Sequence, residues 1–578
     1  MTTAIYNARI YLRRGVFCQA LRIDHGRITQ TGSNTEILDG VPAGTKKIDA
    51  AGCVVIPAFH DSHLHLRGIG QRTGMIAGAG AASVEEVIRR GQDLVESLKK
   101  SGQLKQGTYI QGAGVNPDLF SGEKRDLTRE DLDKISAEYP VIISRHCGHT
   151  IYCNSLALKM AGLGESAPDV AGGTIEKDVN GRPTGVLREN ANALVRKPIP
   201  PPSKDEIAAC LKRSMVQALS LGITAVGSND TQGSDFDEVL EIYRGIYESE
   251  GPHIRVSMQC GISGREDMLD AYLRRGLITG KTLWASPLGE NPQGNVFLKM
   301  GPLKLFADGT LGGQTAWMRQ PYRDKPELAA EPAAPSRERV LGSPPGNRGF
   351  PTLDGALLDI LTQKAAAAGC QVVVHAIGDA GVEAVLTAFG KVTGPGHNPL
   401  RHGLVHCQIT DRGLLEKMAR NRILALVQPI FLADDMYVLE SRVGAELASS
   451  SYAWGSMEKL GIPVSYGTDA PVSDFNPLLG ISWAVLRQDP ATGYPAGGFY
   501  PKEKVDVYTA VDAYTAGSAW ASFDENRLGR IEAGYLADLA FIDGTEGSGD
   551  IFSIPPKEIH RAQVVRTMVA GETVWEKF

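Results

Sequence analysis

The residues whose types and spacing could do chemistry begin at Pro57-Ala58-Phe59-His60-Asp61-Ser62-His63-Leu64-His65, at the end of an apolar run with strand character. Side chains alternate along a strand, so His63 and His65 point to one side, about 7 Å apart along the chain, and both imidazoles can converge on one ion. Two histidines at this spacing also occur on surfaces by chance, so the pair has to be weighed with the rest of the chain. Later apolar runs end in further donors: Val374-His375, Val405-His406 and Tyr466-Gly467-Thr468-Asp469. Singly, His375 or His406 would read as a core histidine with satisfied hydrogen bonds. Jointly, in a chain with 12 histidines, they read as the ligand set of a divalent cation. Zinc fits such nitrogen and oxygen donors, although manganese, iron or cobalt could occupy the same set.

Lys304 stands in the apolar run Leu303-Lys304-Leu305-Phe306-Ala307-Asp308-Gly309. A free ammonium there is costly to desolvate and repels a bound cation. Carboxylation by carbon dioxide would make it an anionic carbamate able to bridge two metals. The alternative is a charged lysine paired with Asp308 or with a substrate carboxylate, and Lys299 is a rival for the role. His146-Cys147-Gly148-His149 invites comparison with a structural zinc site, but no partner pair of Cys or His stands at finger spacing.

These donors need a scaffold that gathers strand ends. Short β-branched runs alternate with longer helical stretches, the pattern of βα units around a parallel barrel. Eight candidate strands are Cys53 to Phe59, Thr224 to Ser228, Ile254 to Gln259, Leu303 to Ala307, Val372 to Val374, Gly403 to Val405, Leu424 to Val427 and Val464 to Tyr466. Helical periodicity covers Ser83 to Lys100, Lys204 to Leu221, Leu357 to Ala368 and Gly381 to Phe389. In a (β/α)8 TIM-like barrel the carboxyl ends of different strands meet at one face, which would make His63, His65, His375, His406 and Asp469 neighbours. Two gaps are too long for simple crossovers: about 66–202, a candidate insertion subdomain, and about 311–353, which with Pro344, Pro345, Gly346 and Gly349 reads as a lid-like loop.

Both sequence ends carry a different texture. Ala4 to Tyr11, Ala20 to Ile23 and Lys47 to Ile48 are short β-like runs between turns, and Ala537 to Ile542 and Val564 to Val574 repeat that texture. The expected architecture is α/β: a barrel over 56–521 with its insertion, and a small composite β-sandwich from 1–55 and 522–578.

Composition narrows the partners. With 42% hydrophobic and 22% charged residues the chain has globular make-up, and its net charge of −6 argues against a grip on nucleic acid or an anionic membrane. A small molecule fits better. No apolar signal-peptide core opens the sequence and no run is long enough to span a membrane, so a cytoplasmic protein is expected. The eight cysteines are scattered, as reduced thiols would be, and no disulfide is expected. A homodimer is left open.

The residues resemble those of the amidohydrolase superfamily, in the branch of the YtcJ-like proteins and N-substituted formamide deformylases. The resemblance spans nearly the whole length. It rests on Asp61-Ser62-His63-Leu64-His65, His149 with Asn154-Ser155, Gly172-Gly173-Thr174-Ile175, Gly185-Val186-Leu187 with Glu189, and Lys304 to Gly312 with Thr315-Ala316. It continues through Val374 to Asp379, Arg401 to Gln408, Gln428-Pro429, Gly467 to Pro471 and Ala537-Asp538-Leu539. What it implies is one or two zinc-like ions at His63, His65, His375, His406 and Asp469, with Lys304 favoured over Lys299 as the carboxylated ligand. It also implies that the His149 region touches substrate, a role that Glu189 could share if it is not simply an exposed helix carboxylate; Asp308 is a third candidate contact. Val405 stands where the branch often has Glu, Gln314 where arginine is common, and Gly114-Val115-Asn116 lacks a frequent tryptophan.

The expected reaction is hydrolysis of an amide-type C–N bond by a metal-activated water, with Asp469 relaying the proton and His149 donating to the developing oxyanion. Ring opening of a cyclic amide or imide, deamination of a heterocycle, and a non-catalytic binding role are the competing readings. The run Ala376-Ile377-Gly378-Asp379 after His375 weakens deamination, because deaminases of this fold generally place an acid-base Glu near the later histidines.

Overall fold

A computed structural model of the chain describes residues 2–100, 102, 104–105, 107–117, 120–145, 150–163, 170, 173–189, 191–231, 233–249, 253–262, 264–286, 296–323, 346–543 and 550–577. Its backbone contacts divide it into two units, 1–66 with 215–578 and 67–214.

The larger unit holds an eight-stranded parallel barrel: β1 (Phe59–Leu64), β2 (Ile223–Thr231), β3 (Arg255–Gly261), β4 (Val296–Phe306), β5 (Val372–Ala376), β6 (Gly403–His406), β7 (Leu424–Val427) and β8 (Val464–Tyr466). Neighbours pair in sequence order throughout, and every barrel ladder is parallel. Helices such as Phe236–Glu248, Glu266–Arg274, Gly355–Ala367, Asp379–Phe389 and Arg412–Arg420 follow successive strands. The alternation of buried β-branched strands with these helices is what the sequence pattern predicts for a (β/α)8 fold. Between β8 and β1 the barrel closes just past the strand ends, where Asp469 N donates to His63 O and His65 N to Ala470 O, both at 2.8 Å. Lines of polar contact therefore cross the seam where the site lies.

The first strand differs from the expectation of Cys53 to Phe59. Val54–Pro57 belongs to a different sheet, pairing with Leu539–Asp543 and Arg9–Arg13, and the barrel starts two residues later at Phe59. Ala4 to Tyr11 likewise splits into Thr2–Tyr6 and Arg9–Arg13 in separate sheets, around Asn7 at φ 55°. One sheet of four has the order Arg27–Gly32, Ala20–Asp24, Thr2–Tyr6, Lys46–Asp49. The other, of six, joins Glu572–Glu576, Gln563–Val569 and Leu539–Asp543 to Val54–Pro57, Arg9–Arg13 and Val16–Cys18. Ile5, Leu21, Ile23 and Ile48 from the first sheet and Ile10, Val55, Phe541 and Met568 from the second share one apolar cluster. The two sheets form a sandwich from both ends of the sequence.

The unit of 67–214 has its own six-stranded sheet, in the order Gly173–Lys177, Pro183–Glu189, Thr150–Cys153, Val141–Arg145, Ile110–Val115, Ile76–Ala77. The helix Val84–Lys100 buries Val84, Val87, Ile88 and Val95 against it, a period near 3.6. Of the lid-like loop, 324–345 lies outside the described residues. Its flanks are joined by Met318 N donating to Arg348 O and Tyr322 N to Asn347 O, each at 2.8 Å. Seven described cysteines are free thiols, Cys147 lying outside the described residues. Among the described residues no helix is long and apolar enough to cross a membrane.

Candidate metal centre

The expected donors meet at the carboxyl ends of the strands. His63 lies inside β1 and His65 just past its end, His375 in β5, His406 ends β6, and Asp469 follows β8 by three residues. Ligand atoms of His63, His406 and Asp469 all fall within 4.8 Å of one another. His65 joins them through Asp469 Oδ1, 3.1 Å from its Nε2, and the same oxygen is 3.4 Å from His63 Nε2. The His375 and His406 rings meet edge to face with centroids 4.5 Å apart. Lys304 completes the group from β4, its Nζ 3.1 Å from His63 Nε2.

Each imidazole is oriented by what its other nitrogen touches. His63 Nδ1 is 2.6 Å from Gln259 Oε1, His65 Nδ1 is 2.7 Å from Asn229 O, and His406 Nδ1 is 2.8 Å from Gln428 Oε1. The amides are themselves fixed, because Gln259 Nε2 donates to Ser62 O and Gln428 Nε2 to Leu426 O. Their carbonyl oxygens can only accept, so the three histidines carry a proton on Nδ1 and turn an Nε2 lone pair into the cluster. His375 is reversed: its Nε2 faces Gly309 O at 2.9 Å, which leaves Nδ1. Gln259 does not enter the sequence reading, and Gln428 enters it only within the resemblance, with no role given to it. A glutamine within or just after an apolar strand carries no spacing signal.

The electrostatics fit a cation. Asp469 Oδ1 is buried and accepts no well-directed hydrogen bond, although two ring nitrogens lie beside it. A carboxylate oxygen facing imidazole lone pairs is unfavourable until a positive charge sits between them. Donors around one tetrahedral ion stand roughly 3.3 Å apart, which the spacing of Asp469 Oδ1 from His63 and His65 already matches. Burial draws His63 and His375 well below the ordinary histidine value and His406 down to about 4, so these three are neutral donors. Burial works to raise Asp469, but the neighbouring histidines, His65 first, more than offset it and keep the carboxyl ionised. For His65 the same burial is outweighed by Asp469, and its value rises. Burial lowers Lys304 to about 7, with the charge of Asp469 opposing.

Backbone geometry re-aims the last two donors. His406, Cys407 and Asp469 have φ of 75°, 48° and 54°, in the left-handed region that costs a non-glycine residue about 1–3 kcal/mol each. Compensating bonds hold them: Cys407 N donates to Ala376 O at 3.0 Å and Asp469 N to His63 O. Asp61, held at about 7 by its burial against the opposing hydrogen bonds it accepts, takes Thr468 Oγ1 at 2.6 Å and His63 N at 3.1 Å. A side chain at Gly467 would meet Asp61 Oδ1 and His63 N each at 2.8 Å, so only glycine lets β8 and β1 approach.

The other expected residues fall differently. Lys299 pairs with Asp524 at 2.7 Å and donates to Ser522 O, beside His60 and away from the histidine cluster. Asp308 does not pair with Lys304, and its Oδ1 lies 3.5 Å from His375 Nε2. Its two oxygens accept the backbone N–H groups of Ile377 and Trp317 at 3.0 Å and of Gly378 at 2.8 Å, tying the turn after β5 to the segment after β4. Glu189 is the last residue of the strand Pro183–Glu189, not a helix residue. His149, with His146, Cys147 and Gly148, lies outside the described residues.

Oriented imidazoles and a carboxylate at the carboxyl face of a parallel barrel define a barrel enzyme of the hydrolase kind. The chain belongs to the amidohydrolase family, which it matches over residues 46–575. It is 31% identical over 571 residues to "Putative amidohydrolase YtcJ" of Bacillus subtilis, covering 98% of this chain and 97% of that one. It is 24% identical to the N-substituted formamide deformylase of Arthrobacter pascens, over 99% of this chain and 97% of that one. Its fold is shared with an uncharacterized metal-dependent hydrolase from Pyrococcus horikoshii, at a TM-score of 0.71 and 24% identity, covering 96% of this chain and 99% of that structure.

Proposed function

We propose that the protein is a metal-dependent hydrolase that cleaves an amide-type C–N bond of an N-formyl or N-acyl amine in a small molecule. The observation that carries this reading is the set of imidazoles whose protons are committed to Gln259, Asn229 and Gln428, so that their lone pairs converge on the orphaned Asp469 oxygen. A divalent cation, zinc by its donor set, supplies when bound an activated water and a Lewis acid for the scissile carbonyl.

The chain's own residues do the rest. His63, His65, His375, His406 and Asp469 would hold the one or two ions. Lys304, lowered to about 7, is partly a free amine at neutral pH. Its nitrogen adds to carbon dioxide, a proton leaves to solvent, and the resulting carbamate would share one negative charge over two oxygens beside His63. Asp469, ionised and buried, accepts the proton of the attacking water and passes it to the departing nitrogen, which leaves poorly unless protonated. His149 donates to the developing oxyanion, and Glu189 is a second substrate contact.

Metal analysis of the purified protein, with a hydrolysis screen of N-formyl, N-acyl and cyclic amides, tests the reading. One or two divalent ions per chain and chelator-sensitive release of acid and free amine are expected. Ammonia release or ring opening would reassign the bond, and chelator-insensitive binding without hydrolysis would remove the enzyme altogether. Asp469→Asn should retain most of the metal and lose ~10²-fold or more of kcat; an active variant would end the proton-relay role.

A further inference from the structure

A cation accounts for the orphaned Asp469 oxygen but not for Asn229 on β2. Asn229 is 2% exposed, and among the described residues neither its Oδ1 nor its Nδ2 has a hydrogen-bond partner. It is the one buried side-chain amide among them with both ends unpaired. Each unpaired buried group is expensive, and Asn229 carries two on one side chain.

The position of this amide follows from the strand. Its own backbone carbonyl accepts His65 Nδ1 at 2.7 Å, so it adjoins the most exposed histidine of the cluster, whose side chain is 31% exposed. Ser228 Oγ donates to Asp230 at 2.5 Å, and Tyr243 of the helix Phe236–Glu248 donates to the same carboxylate at 2.6 Å. Residues 228 and 230 therefore face outward to the helices. Gly227 faces the opposite way, since a Cβ there would lie 2.6 Å from Gln259 Nε2, the amide that orients His63. Asn229 lies two residues further on, between outward-facing 228 and 230, where the pairing of β2 with β3 shifts register, and its carbonyl's contact with His65 sets it beside the cluster.

We propose that the Asn229 carboxamide is a substrate-binding residue whose carbonyl oxygen accepts the N–H of the scissile amide. The proposal rests on the amide-hydrolase reading and sharpens its substrate class. The substrate keeps an N–H on the bond that breaks, as in a mono-N-substituted amide. An N,N-disubstituted amide leaves Asn229 Oδ1 buried without a donor, and sites built to hydrogen-bond a group discriminate strongly against ligands that lack it.

The test compares an amide that the metal-loaded enzyme hydrolyses with its N-methylated analogue, in the wild type, Asn229→Leu and Asn229→Ser. The wild type is expected to favour the N–H amide by ~10²-fold or more in kcat/KM. In both variants that preference falls to about unity, with ~10-fold to 10²-fold lost on the N–H substrate and unchanged metal content. The melting midpoint of Asn229→Leu stays level or rises, because an apolar group of similar shape replaces an unpaired amide. A wild type indifferent to N-methylation overturns the proposal, and so does a preference that survives in the variants. Should Asn229→Leu not fold, the same comparison in Asn229→Ser decides. Failure of the metal-loaded wild type to hydrolyse any amide of the panel overturns the underlying reading and this one with it; loss of the preference argument alone leaves that reading standing.

Discussion

An imidazole offers a cation one lone pair, and the partner of its other nitrogen decides which. At His63 that partner is Gln259, held in turn by Ser62 O. Gln259→Leu keeps the bulk and removes the acceptor, leaving a buried Nδ1–H unpaired and the ring free to adopt the wrong tautomer. Metal affinity should fall ~10–100-fold, as for other outer partners of metal ligands. Titration of zinc into the chelated variant reads this, and an affinity equal to wild type would show that the ring is held by packing alone. The histidines themselves were legible from sequence because a repeated donor at successive strand ends is a pattern. Gln259, Gln428 and Asn229 were not, since an amide within a strand differs from its neighbours only in what it touches.

At the level of elements, seven of the eight expected strands coincide with barrel strands, and Leu424–Val427 and Val464–Tyr466 do so residue for residue. The exception has a physical cause. Val54–Pro57 is the apolar run, but it lies in the sandwich, while the barrel strand Phe59–Leu64 is mostly polar because its inward groups build the site. Hydrophobic periodicity reports burial in apolar surroundings and misses a strand buried among hydrogen bonds. Connections are equally specific. Asp308, just after β4, accepts three backbone N–H groups, two of them from the turn that follows His375. Burial lifts its carboxyl to about 7, against the pull of those N–H groups, so the loop brace is costly and kept. Asp308→Asn turns an N–H donor against N–H donors. A loss of about 1–3 kcal/mol is expected, read as a lower melting midpoint, together with weaker metal binding through a displaced His375. If the midpoint fell while metal affinity held, the brace would serve the fold alone.

Across the larger unit, chemistry and cohesion occupy opposite ends of the barrel. The donors lie at the carboxyl ends of the strands, whereas the amino ends are tied to the sandwich: Ala58 N donates to Asp538 O at 2.9 Å, and Thr567 Oγ1 to Leu219 O at 2.7 Å. The strongest tie is a two-point ion pair from Arg255, the first residue of β3, to Asp538, at 2.8 and 3.2 Å, with side chains only 3% and 4% exposed. Asp538 also accepts Ala570 N at 2.8 Å, so one carboxylate joins a barrel strand to the turn between the last two strands of the sandwich. Asp538→Ala leaves the guanidinium buried without its counter-charge, a change that costs about 3–5 kcal/mol where only one partner is removed. The melting midpoint of the variant should fall by several degrees, and pairing it with Arg255→Met should recover much of the loss, because an apolar pair needs no compensation. Zinc affinity measured well below that midpoint should match the wild type, since Gln259, Asn229 and Gln428 still orient the imidazoles. A matching loss of affinity would mean that the sandwich reaches the donors through β3, and that the barrel's two ends are one cooperative unit.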